Sequence, residues 1–247
     1  LMGTGQEFIE KTRFPYLGPS DQYLGRAQPP LERKDSGAGL PLPLPGEACP
    51  GAIDLTDAIA RRRSVRTYAT AKMPLATLSY LLWCSQGVQS VVGQDWTIRS
   101  VPSAGARHAL ETYVLANRVD GVEPGLYHYA ALSNRLFRLQ APADVADRIR
   151  DACLDQPMIT DAAAFFIWAA DIYRMTWRYG ERGYRYIFID AGHACQNLYL
   201  AAEAVDCGVC AIGAFDDDAL NALLGLDGEE IFVIYCAAAG MRAGEED

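Results

Sequence analysis

The chain has 247 residues, half of them hydrophobic and 21% charged, with a formal net charge of -9 and a pI near 4.9. That length suits one large domain, or a domain with an arm, around a sizeable core. A diffuse acidic balance argues against nucleic acid or an anionic membrane as partner, since both demand a positive field; an anionic ligand must be met by a local cluster of cations. The seven cysteines are irregularly spaced and read as reduced thiols, which points to a cytoplasmic protein. No apolar run approaches a membrane span, and the first residues lack a basic-then-apolar leader, although a start at Leu1 leaves room for one trimmed away.

Residues 15–50 hold eight of the thirteen prolines and cannot sustain helix or central strand. Residues 1–50 therefore read as a Pro-rich arm, and 51–247 as the folded domain. Phe14, Tyr16, Tyr23, Leu24 and Leu31 favour an arm that packs on something over a disordered tail. Asp54 is placed to cap a helix running through Arg61, and Pro74 to open one that lasts until Gly87. Strands are expected over 111–119 and 126–139, the second turning at Ser133-Asn134. A helix over about 143–155 precedes an apolar strand from Ala162 to Ala170. A long helix over about 184–204 follows, its stripe made by Ile187, Ala191, Ala194, Leu198 and Ala202. A strand at 209–214, a helix from Asp216 to Gly225 and a strand at 231–238 complete the chain. Hairpin-like connections among helices favour α+β over a doubly wound sheet.

Three segments carry candidate chemistry. Arg61-Arg62-Arg63-Ser64-Val65-Arg66 leaves a helix and enters a loop, where guanidiniums and a hydroxyl could satisfy a phosphate, or simply complement the helix dipole. Pro102-Ser103-Ala104-Gly105 could bring backbone N–H groups close to a planar ring, or be a plain turn. Gly213-Ala214-Phe215 ends a strand beside Asp216-Asp217-Asp218, which would repel a phosphate but tolerate a neutral ring. Cys207-Gly208-Val209-Cys210 has a redox or zinc spacing without a second pair, so no metal is expected.

These segments recur in order with Pro124-Gly125-Leu126-Tyr127-His128-Tyr129, Asp190-Ala191-Gly192-His193, Leu224-Gly225 and Gly240-Met241-Arg242. Together they resemble the nitroreductase family, in particular the SagB-type dehydrogenases that include azoline oxidases of modified-peptide biosynthesis. The resemblance implies an α+β nitroreductase-like fold with a mixed, mainly antiparallel sheet in an intertwined homodimer. It implies FMN as cofactor, its phosphate and ribityl chain held by Arg62, Ser64 and Arg66, with Arg63 contributing backbone and Arg242 a further cation. Pro102, Ser103, Ala104 and Gly105 would come from the other subunit to line the ring, while Gly213 and Ala214 offer N–H groups near N5 and O4.

Hydride transfer would then belong to the flavin, acting on a small organic or peptide-derived substrate. NAD(P)H is a reductant that would need no dinucleotide fingerprint of its own. Azoline oxidases of the family carry a Lys–Tyr pair where this chain has Arg178-Tyr179. Arginine stays protonated and cannot serve as base, which leaves Tyr179 as proton donor or orienting group and Arg178 as an anion clamp. Alternatively Arg174, Arg178 and Arg182 form one solvated helix face. His193 is expected as a hydrogen-bonded core residue, and Trp177 and Tyr179–Tyr186 as the floor of a substrate cavity. A flavin-binding protein without turnover is the competing class of function.

Overall fold

The structure, a computed structural model, describes residues 3–44 and 53–244. In chain order it contains α1 (Thr4–Lys11), β1 (Leu40–Pro41), α2 (Leu55–Arg61), α3 (Leu75–Gln86), and a hairpin of β2 (Val88–Val92) and β3 (Trp96–Arg99). There follow β4 (Leu110–Ala116), β5 (Gly125–Ala130), β6 (Arg135–Arg138), α4 (Val145–Ala152), α5 (Met158–Asp161), β7 (Ala164–Asp171), α6 (Ile172–Tyr179), α7 (Gly183–Glu203), β8 (Cys207–Ile212), α8 (Asp217–Leu224) and β9 (Ile231–Met241).

The main sheet runs β1-β6-β5-β4-β7-β9-β8, and every neighbouring pair is antiparallel. Among the described residues parallel pairing is confined to isolated bridges, Ser64 with Val209 and Met73 with Val119. Strand β7 has no polar–apolar alternation because both its faces are covered. Phe166 and Trp168 point into a core shared with Leu78, Leu82, Met175 and Leu198 of α3, α6 and α7. Phe165 and Ile167 point the other way, toward Ile149 of α4 and Leu220 of α8. The fold is thus α+β, one antiparallel sheet between two helical layers.

The local signals work as physics requires. Asp54 accepts the N–H groups of Thr56 and Asp57 and starts α2. Asp216 accepts from Ala219 N, and Gly225 ends α8 in the left-handed region. Asn134 makes the β5–β6 turn at φ 50°. The whole expected stripe of α7 is buried. Two expectations fail here. Gly180, at φ 54°, breaks the chain between α6 and α7, so Arg174, Arg178 and Arg182 are not one solvated face. His193 is exposed on α7; the buried imidazoles are His108 and His128.

The arm, in its described part, lies on its own chain. Gln22 N donates to Trp177 O at 2.8 Å, Trp177 Nε1 returns a bond to Arg26 O at 3.1 Å, and Tyr173 donates to Asp21 at 2.9 Å. Trp177 therefore anchors the arm and is not a cavity floor. Farther on, Arg33 N donates to Glu111 at 2.7 Å, and β1 pairs with β6. The proline run continues into residues 45–52, outside the described residues.

Candidate functional site

Two clusters gather the residues singled out in the sequence, and both are organised around α7. The first begins where α2 ends. Arg63 folds back, its guanidinium donating to Ala60 O at 2.9 Å and Arg62 O at 2.8 Å, so its side chain closes the helix and leaves its neighbours free. The segment then runs beside β8, with Val65 N donating to Val209 O at 2.9 Å. Gly208 and Gly240 are directly paired across β8 and β9, and their missing side chains make a trough. A Cβ on Gly208 would stand 2.5 Å from Val65, and one on Gly240 would stand 2.8 Å from the Tyr68 ring. Val65 and Tyr68 fill that trough, and Tyr68 closes the turn by donating to Val65 O at 2.8 Å. Packing of apolar side chains into two glycine positions thus holds Arg62, Ser64 and Arg66 at the surface.

Tyr199 of α7 organises the polar end. Its hydroxyl accepts Ala211 N–H at 2.8 Å and exchanges a hydrogen bond with Ser64 Oγ at 3.1 Å, while Arg62 sits 5.4 Å above its ring. Sequence reasoning did not single out Tyr199, which is a tyrosine on the buried side of the C-terminal half of α7. Among the described residues neither Arg62 nor Arg66 has an ion-pair or hydrogen-bond partner for its guanidinium. Arg242 differs. A bridge with Tyr68 brings it to this segment, but its guanidinium is committed to the buried Glu203 and to Cys207 O. At the end of β8, Gly213 and Ala214 are exposed, and nothing lies closer than 4.0 Å to where a Gly213 side chain would begin.

The second cluster is built on the loop after β3. Ser103 Oγ accepts His108 N–H at 2.9 Å, and Ala104 N donates to Asp190 of α7 at 3.3 Å. Burial raises the Asp190 pKa against the opposing bonds from Ser103 and Ala104. Gly105 has φ +57°, and a Cβ there would stand 2.5 Å from the Tyr179 hydroxyl and 2.8 Å from Arg178 Nε. Only glycine fits both constraints. The two expected catalytic residues are therefore packed directly on the Pro102–Gly105 loop within one chain. Tyr179 meets Tyr186 edge to face at 4.9 Å, and Arg178 lies 5.7 Å over the Tyr179 ring with no carboxylate partner among the described residues.

Asp190 and Tyr199 are nine residues apart on α7, two and a half turns, so they face opposite sides and stand roughly 13 Å apart along the axis. On its exposed side α7 presents Phe188 and Ile189, each 54% exposed, with Gly192, His193 and Gln196 also exposed.

The chemistry also meets two negative results. Cys207 and Cys210 are three apart on β8 and enter opposite cores, which rules out a joint redox or metal role for that pair. Among the described residues no group of His, Cys, Asp and Glu could hold a metal, and no helix is long and apolar enough to cross a membrane.

Comparison with known proteins gives this geometry a lineage. The nitroreductase family profile matches residues 59–240. A candidate nitroreductase of Methanocaldococcus jannaschii is 37% identical over 172 residues, 70% of this chain and 84% of its own length. The trifolitoxin-processing protein TfxB of Rhizobium leguminosarum bv. trifolii is 29% identical over 133 residues, 52% of this chain; the match spans only 36% of that protein. Among solved structures, a chain of the Escherichia coli microcin synthetase complex bound to truncated pro-MccB17 shares the fold at TM-score 0.63 and 17% identity, covering 97% of this chain and 92% of its own. A candidate nitroreductase of Desulfovibrio desulfuricans in complex with FMN aligns at TM-score 0.54 and 18% identity, over 78% and 88% of the two chains. The chain belongs to the nitroreductase family.

Proposed function

We propose that this chain is an FMN-dependent oxidoreductase acting as a homodimer, each flavin held between the Arg62 cluster of one copy and the Ser103 cluster of the other. The observation that carries the reading is a pair of guanidiniums, Arg62 and Arg66, with no ion-pair or hydrogen-bond partner among the described residues, flanking Ser64, whose hydroxyl meets that of Tyr199, in a chain of net charge -9. Two cations and a hydroxyl fit a phosphate monoester, which carries close to two negative charges. The open backbone at Gly213 and Ala214 accommodates a flat body, and the aspartates that follow keep the phosphate at the arginine end. Bound FMN supplies two-electron hydride exchange between a reductant such as NAD(P)H and an organic substrate.

The chain's own residues supply the rest. Ser64, oriented by Tyr199, fixes the phosphate end. Gly105 allows the loop to lie against Tyr179, whose hydroxyl is available to donate a proton or orient a substrate. Placement of the two clusters on opposite sides of α7, with Phe188 and Ile189 exposed on the same helix, supports assembly of the site from two copies.

A peptide-derived substrate is favoured by the likeness to a trifolitoxin-processing protein and to the microcin synthetase complex. Azoline oxidation specifically is disfavoured by Arg178, because a guanidinium cannot take up a proton near neutrality. The test is optical. The purified protein, reconstituted with FMN, should be yellow, bleach under NAD(P)H or dithionite without oxygen, and recolour with an electron acceptor. Failure to retain FMN would overturn the proposal, and flavin that never cycles would make the chain a flavin-binding protein.

A further inference from the structure

Beside the second cluster lies a groove of about 490 Å³, walled by Phe14, Leu17 and Tyr23 of the arm and by Arg178, Tyr179 and Arg182. Its shape comes from the arm's attachment to α6, where Gln22 and Arg26 clasp Trp177 from either side. One wall is thus aromatic and apolar, and the other cationic.

The cations are distributed unevenly. Arg182 is occupied, donating to Tyr186 at 2.8 Å and Thr12 O at 3.0 Å while stacking on Phe14 at 4.4 Å. Arg178 is exposed, and its guanidinium has no hydrogen-bond or ion-pair partner among the described residues. Behind it stands Arg107, 6% exposed, stacked 5.1 Å from Trp177 and donating to Asp95 O at 3.0 Å, with its Nε buried and unpartnered. Burial and the neighbouring Arg178 both push the Arg107 pKa down. The Asp95 carboxylate and Tyr179 act the other way on Arg107, but no carboxylate pairs with Arg178 among the described residues, so the two neighbouring guanidiniums repel one another and an arriving anion relieves that repulsion. Two acids of the arm are engaged elsewhere: Asp21 accepts from Tyr173 at 2.9 Å, and Glu10 from Tyr16 at 3.3 Å.

We infer that this groove is the substrate's carboxylate subsite: Arg178, with Arg107 behind it, binds the carboxylate of a substrate whose flat or apolar body lies against Phe14, Tyr23 and Tyr179. The inference rests on the oxidoreductase reading for the word substrate, but not for the site itself. A guanidinium matches a carboxylate with two parallel N–H bonds, a geometry that an amide cannot reproduce. The carboxylate has two natural sources, a free aromatic acid and the C-terminus of a short peptide.

Equilibrium dialysis of the holoprotein against benzoate and benzamide reads the site without any turnover. Benzoate should bind at least tenfold more tightly; Arg178→Gln should erase that preference, and Arg178→Lys, which keeps the charge, should retain part of it. A tripeptide with a free C-terminus, compared with its amide, separates the two sources: preference in the peptide pair identifies a peptide acid, and preference in benzoate alone identifies a free acid. Equal binding within both pairs, or a preference that survives Arg178→Gln, overturns the inference. Colourless protein that still prefers benzoate would defeat the flavin reading alone. Yellow protein with no preference would defeat the carboxylate subsite alone.

Discussion

Arg62 and Arg174 carry the same side chain in the same acidic chain, and their surroundings are opposites. Arg174 is buried on α6, paired with Glu111 and, at 3.0 Å, with Asp171. Glu111 also accepts from His128, whose other ring nitrogen donates to Asp35 at 2.8 Å. An imidazole that donates from both nitrogens is protonated. Burial opposes that charge, yet the bonds to Asp35 and Glu111 push the His128 pKa up to about 9. Burial likewise opposes the Glu111 charge, and Arg174 and His128 overcome it, holding the carboxyl well below its usual range. This network ties the arm, through Asp35 and Arg33, to β4, β5 and α6. Arg62 and Arg66, by contrast, are given a shaped backbone and no acid. Carboxylates surround the cation in the buried network, whereas at the proposed phosphate site none pairs with Arg62 or Arg66 among the described residues.

That contrast can be broken in graded ways. Removing the open charges together, Arg62→Gln with Arg66→Gln, should weaken FMN binding by two to four orders of magnitude, at about 1.5–3 kcal/mol for each charge-assisted contact. Fluorescence titration of apoprotein reads this, and the melting temperature of the apoprotein should hardly change. Removing a closed charge should do the reverse. Glu111→Gln removes the carboxylate that Arg174 and His128 share, leaving each with one acid, Asp171 and Asp35, and should cost about 3–5 kcal/mol of stability in denaturant unfolding.

A pH series probes the same network more gently. His128 has a raised folded pKa, so its contribution is complete below about 6.5 and is lost as pH rises through about 9. Glu111 has a lowered one, so its contribution is present above the ordinary carboxylate range and fades as pH falls. The melting temperature should therefore decline from pH 6.5 to 9.5 in the native protein and less so in His128→Gln; identical slopes would place the proton elsewhere.

Two smaller changes sharpen how the open residues are held. Gly105→Ala meets left-handed strain of about 1–2 kcal/mol and also the Tyr179 hydroxyl. Gly93→Ala, at φ +60° with its nearest atom 3.8 Å away, should show the strain alone, and the difference in melting temperature isolates the contact. Asp54→Ala removes the cap of the helix that delivers Arg62 and should cost about 1 kcal/mol.

The sequence was most readable where one residue decides a local outcome. The Asp54 and Asp216 caps, the Asn134 turn, the Gly225 stop and the buried stripe of α7 all follow from short-range rules. What escaped depends on distant partners. Nothing local marks Glu111, near the start of a strand, as the meeting point of Arg174 and His128, or Tyr199 as the post beneath Ser64. The β2–β3 hairpin and α1 were also missed, the latter a short helix with no buried residue to give it a periodic face. His193 departs from expectation because a histidine inside a long helix can face either way, and here the outward side of α7 takes it. The basic segment was visible from composition, whereas its glycine trough required knowing that Gly208 and Gly240 lie opposite each other.

A mixed-dimer complementation would examine the shared flavin site most directly. One tagged copy carries Arg62→Gln and Arg66→Gln, and the other carries Ala104→Trp, which fills the space beside the Ser103 loop. Each variant alone should bind no FMN. Co-expressed and purified through both tags, the mixed dimer should recover one flavin per two chains, since one of its two sites is assembled from intact halves. A mixed dimer that forms but stays colourless would mean that both clusters of a single chain serve the same flavin.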